Sequence, residues 1–114
     1  MDLAREILLR MEQDDGMSEW VELAIEGRTP EEVSYHVMLL DQAGLIEGRD
    51  DSTFDGDAWK AQRLTWQGHE FLDSARNESA WKEAKRKIAE RGGSLTFDVL
   101  KAVLAAIVKG QLGL

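Results

Sequence analysis

Two histidines, His36 and His69, are the only imidazoles in the chain, and there is no cysteine. A thiolate metal site, a cysteine nucleophile and a disulfide framework are therefore excluded. Both histidines fall mid-helix, where a half-buried packing or hydrogen-bonding role is expected. Ser18, Ser34 and Ser74 lack the His and Asp partners that would activate a hydroxyl, and no phosphate-cradling glycine loop occurs. The spacing Asp51-x-Thr53-x-Asp55-Gly56 resembles the first half of a calcium loop. Its twelfth position is Gln62, which cannot supply the closing bidentate carboxylate, so an acidic solvated turn is expected. No metal, no cofactor and no enzymatic activity are expected.

Charge carries more information. Residues 1–57 hold sixteen acids against four bases, a balance of −12, whereas residues 58–114 hold ten bases against six acids, a balance of +4. Such asymmetry decides which surface can meet which partner. The acids Glu31, Glu32, Asp41, Asp50, Asp51, Asp55 and Asp57 form a candidate face for a basic protein partner. Lys82, Lys85 and Arg86 lie three and four apart on one helix side and form a candidate nucleic-acid contact. The plainer expectation is a solvated face paired with Glu78, Glu83 and Glu90.

The elements that must position these groups follow from periodicity. Leu3, Ile7, Leu8 and Met11 predict a helix over 2–13. Val21, Leu23 and Ile25 alternate with Glu22 and Ala24 and predict a short strand over 20–25. Thr29-Pro30-Glu31-Glu32 is a helix start, and Ala43-Gly44-Leu45 a Schellman ending in which Leu45 folds back on Leu40. Extended chain at 45–47, a polar loop at 48–57 and a returning strand at 61–65 predict a hairpin. Thr65 caps a third helix with Phe71, Leu72 and Ala75 inward. A fourth starts at Asn77 or Glu78 with Trp81, Ala84 and Ile88 on one face, and a last helix runs from about Thr96 to Lys109.

The fold class expected is α+β, mostly α: a winged-helix-like domain (helix, short strand, helix, β-hairpin wing, helix) over 1–76. A C-terminal helical extension over 77–114 belongs to the same compact unit. Helix 30–43 occupies the recognition position, with Ser34, Tyr35, His36 and Gln42 as candidate base contacts. It contains no Lys or Arg, and its acids count against a polyanion. DNA is accordingly the alternative partner, and a protein-interaction adaptor the preferred reading.

The segments Glu31–Val37, Leu39-Leu40, Ala43–Ile46 and Leu64–Leu72 resemble the motifs of a bacterial and phage family catalogued as domain of unknown function 2513. Phe97–Lys101 and Gln111–Leu114 are similar to that family's ending. The resemblance implies a fold and a phage or prophage origin without assigning an activity.

The last helix points to self-association. Phe97, Leu100, Val103, Leu104, Ile107 and Val108 are the candidate homodimer interface, because a helix apolar on nearly all sides must be covered on nearly all sides. Leu104→Glu is expected to give a monomer. The apolar runs fall short of the ~18 residues a bilayer span needs, and the first residues lack a secretory pattern. A soluble, cytoplasmic protein with no membrane partner is expected.

Overall fold

In a computed structural model, described for residues 2–13, 19–54, 56, 58–92 and 96–111, the chain is α+β and mostly helical. The elements are α1 (Asp2–Gln13), α2 (Pro30–Gln42), β1 (Ile46–Asp50), β2 (Trp59–Leu64), α3 (Trp66–Ala75), α4 (Glu78–Glu90) and α5 (Phe97–Gln111). They form two compact units, 1–69 and 70–114, so the division falls inside α3 instead of at 76/77.

Unit 1 is built on α1, α2 and the β1–β2 hairpin. α1 buries Leu3, Ala4, Ile7, Leu8 and Met11, and α2 buries Val33, Val37 and Leu40. Both helices pack against β2, and α2 also covers β1. The strands pair antiparallel from Ile46↔Leu64 to Asp50↔Trp59. A bulge lies between Glu47↔Arg63 and Gly48↔Ala61, leaving Gln62 as the extra residue. The hairpin is longer than the sequence suggests, because β1 continues to Asp50 and β2 begins at Trp59.

The ends of α2 are fixed by the residues expected to fix them. Thr29 Oγ1 accepts from the Glu32 backbone N–H at 3.2 Å while the Glu32 carboxylate reaches back to the Thr29 N–H, which completes a capping box. At the other end Gly44 has φ +77°, its N–H donates to the Asp41 carbonyl, and the Leu45 N–H donates to the Leu40 carbonyl at 3.0 Å. Those two bonds are the Schellman pattern.

Residues 20–25 do not form the expected strand. Val21 exchanges both backbone bonds with Ala61 at 2.9 Å, a single bridge on the free edge of β2. The alternation is real as burial, with Leu23 and Ile25 inside and Glu22 and Ala24 out. A turn then bends the chain towards Thr29: the Arg28 N–H donates to the Ile25 carbonyl, and Gly27 sits at φ +81°.

α3 starts on unit 1. Thr65 Oγ1 accepts from the Gly68 N–H at 3.0 Å and donates to the Gly44 carbonyl at 2.6 Å, so one hydroxyl caps α3 and holds the end of α2. Only glycine fits at 68, because a Cβ there would overlap the Leu45 carbonyl.

Unit 2 contains the α4–α5 hairpin. Its core includes Phe71, Trp81, Ala84, Ile88, Leu100 and Leu104. Phe71 meets Trp81 and Phe97 edge-on, with ring centroids 6.5 and 5.7 Å apart. Asn77 Oδ1 caps α4 by accepting from the Ala80 N–H, and its Nδ2 donates to Gln111 Oε1 at 3.0 Å, tying the start of α4 to the end of α5.

Candidate interaction site

The α2 candidates do not form one reading surface. Ser34 is 3% exposed, and its Oγ accepts from the Trp59 N–H at 3.3 Å. It anchors the first residue of β2 and is removed from the candidate base contacts. His36 Nδ1 lies 2.8 Å from the Glu32 carbonyl, and Tyr35 packs edge-on against the His36 ring. Tyr35 and Gln42 face outward. His69 is exposed, not half-buried as expected, because it sits on the outer side of the first turns of α3.

Most of the acidic face has local work. The Asp41 carboxylate accepts from the Gly48 N–H at 3.0 Å, fixing β1 opposite the bulge in β2. Asp50 accepts from the Ser52 N–H at 2.9 Å, and its hydrogen bonds to Ser52 hold its carboxyl below the usual carboxylate range. Asp51 lies 2.9 Å from Lys60 Nζ and 3.1 Å from Arg49 Nε, and these two cations lower its pKa. Its carboxylate is thus engaged by side-chain cations rather than poised for calcium. The Glu32 pKa is also lowered, first by the Thr29 backbone N–H and then by Arg28 at 3.3 Å. Glu31 is exposed at the first turn of α2. Asp55 and Asp57 lie outside the described residues, as does Ser18.

The basic face of α4 is largely laced to its own helix. Arg86 pairs with Glu90 at 2.6 Å and Lys87 with Glu83 at 3.5 Å, both at i,i+4 spacing. Lys85 lies over the Trp81 ring at 5.9 Å, and Lys82 is exposed. No group of three His, Cys, Asp or Glu residues among those described could hold a metal ion.

α5 divides its apolar surface in two. Leu100, Leu104 and Ile107 are buried within the chain's own fold, with Leu100 and Leu104 at 0% exposure. These three are corrected from dimer contacts to core, because the 3–4 spacing that made them look like an interface is the stripe directed inward on α5. Phe97 and Val108 are half-buried, and Phe97 is held by Phe71. Of the six interface candidates, Val103 and the edge of the otherwise buried Ile107 line an open surface.

That surface is a groove of about 480 Å³ along the α4–α5 hairpin. Its apolar lining includes Ile88 from α4 and Val99, Ala102, Val103 and Ala106 from α5. Lys87 and Arg91 supply its charge. Val99 is 39% exposed, and Ala102 and Ala106 are exposed. Reading α5 for its largest side chains missed Val99, Ala102 and Ala106. The signal was available, since at 100° per residue these three fall well to one side of the Leu100–Leu104–Ile107 stripe.

Among the described residues, no helix is long and apolar enough to cross a membrane. No solved structure matches the chain. A relative in Haemophilus influenzae named "Uncharacterized protein" is 39% identical over 112 residues, covering 97% of this chain and 95% of the relative. Residues 1–94 match the family described as "Hypothetical protein (DUF2513)". With capped α2, the Thr65–Gly68 joint and the α4 helix all inside the matched span, this chain belongs to the DUF2513 family.

Proposed function

We propose that this protein is a non-enzymatic, winged-helix-like interaction module that works as a homodimer and as an adaptor between protein partners. The observation that carries this reading is the open apolar groove on unit 2, with Val99, Ala102, Val103 and Ala106 directed outward from a helix whose opposite stripe already fills the core. Apolar surface of this kind is stabilised by about 25 cal/mol for each Å² removed from water, so a covering surface is favoured. The order helix, helix, hairpin, helix in α1, α2, β1–β2 and α3 supports the winged-helix likeness.

Binding of DNA through α2 has less support. Ser34 is buried, no Lys or Arg lies on the helix, and Glu31 with Glu32 occupies the end that would approach phosphates. The test is a gel-shift titration of the full chain against random duplex DNA at low and moderate salt, beside a molar-mass measurement by light scattering. The reading predicts a dimer and no shift at either salt. A monomer would overturn it. A low-salt shift abolished by Lys82→Glu with Arg86→Glu would replace it with DNA binding through α4.

A further inference from the structure

We propose that the groove on the α4–α5 hairpin receives α5 of a second copy of this chain, running antiparallel and locked by reciprocal Asp98–Lys109 ion pairs. The proposal rests on the homodimer reading above and specifies its geometry.

Charge placement selects this occupant and direction. Asp98 and Lys109 are both exposed, and no ion pair among the described residues involves either. They stand about three turns apart, so they fall on the same flank of α5, beside the outward Val99–Ala102–Val103–Ala106 surface. In a parallel two-fold pair of α5 helices, the same flank of the two copies lies on opposite sides of the contact, so Asp98 and Lys109 would find no partner across it. In an antiparallel pair, residues on the same flank face each other with the order reversed. Asp98 of each copy then meets Lys109 of the other, twice over in one two-fold interface.

The apolar middle agrees with that register. Pairing Asp98 with Lys109 puts the two-fold axis between positions 103 and 104, which brings Val103 beside its own counterpart and Ala102 beside Ala106 twice over, so the small alanines let the two backbones approach closely. The groove ends agree too. Arg91 follows the last residue of α4 and lines the groove with Val99, near the start of α5. The antiparallel partner brings the C-terminal end of its own α5 to that place. The unsatisfied carbonyls there carry partial negative charge, which a cation stabilises.

The test is a charge swap read as a dimer dissociation constant, by sedimentation of the full chain over a concentration series at low salt. Asp98→Lys alone and Lys109→Asp alone each place two like-charged pairs in the interface, and each is expected to weaken the dimer by about tenfold or more. The double variant Asp98→Lys with Lys109→Asp is expected to return to within about threefold of the unchanged chain. Both single changes also oppose the helix dipole of α5. If that were their only effect, the double variant would be weaker than either one, so recovery separates pairing from helix loss. Circular dichroism confirms that each variant is folded. Singles that dimerise like the unchanged chain, or a double variant no better than the singles, would overturn the proposal and leave the homodimer reading standing. An unchanged chain that is monomeric throughout would overturn both.

Discussion

Thr65 joins two helices with one hydroxyl, accepting from the Gly68 N–H and donating to the Gly44 carbonyl. Thr65→Val keeps the shape and removes both bonds, with an expected loss of about 1–2 kcal/mol by urea unfolding, whereas Thr65→Ser keeps most of the stability. Equal losses for the two would contradict the capping role. Glu32, Asp50 and Asp51 carry a pH prediction. Each has a folded pKa lowered below its unfolded value, so the stability it contributes is complete above the usual carboxylate range. It is lost as the pH falls through the lowered folded values. Thermal unfolding from pH 7 to pH 3 should therefore show Asp51→Asn less stable than the unchanged chain at neutral pH, with the gap closing in acid. A gap that stays constant would mean that Lys60 and Arg49 contribute nothing through Asp51.

At the scale of elements, legibility followed how local the cause was. Both ends of α2, the Asn77 cap and the inward stripes of α1 and α4 depend on residues within one turn, and side-chain chemistry marks them directly. Residues 20–25 went the other way. Their alternation reports burial, but a strand also needs a partner edge along its length, and β2 offers that segment only Ala61. The two faces of α5 were hard to tell apart for a related reason: hydrophobic content shows that the helix must be covered, not which stripe its own chain covers. Ser34 and Asp41 read as contact residues because their backbone partners, Trp59 and Gly48, are distant in sequence. With Leu104 at 0% exposure, Leu104→Glu now has a different expected outcome. A carboxylate there has no paired cation, so unit 2 should unfold, seen as lost helical signal near 222 nm in circular dichroism, a helix marker. A folded, soluble monomer would instead return Leu104 to the interface.

For the whole molecule, the opposite charge balances of 1–57 and 58–114 decide where association can happen. Copies carrying a net charge of −8 repel one another in general, so a stable contact must use a place where that charge is locally relieved. The α4–α5 hairpin is such a place, with an apolar groove and Lys87 and Arg91 along it. Added salt should screen the general repulsion and the Asp98–Lys109 pairs alike while leaving apolar burial intact, so the dimer is expected to change little between low and moderate salt. A dimer that dissociates steeply with salt would point to an interface held by charge alone. The most direct measurement is molar mass by light scattering for the unchanged chain beside Ala102→Glu, a change at an exposed position in the middle of the groove. We expect the unchanged chain at twice 12.8 kDa and the variant folded at 12.8 kDa. Two folded proteins of equal mass would contradict self-association through α5.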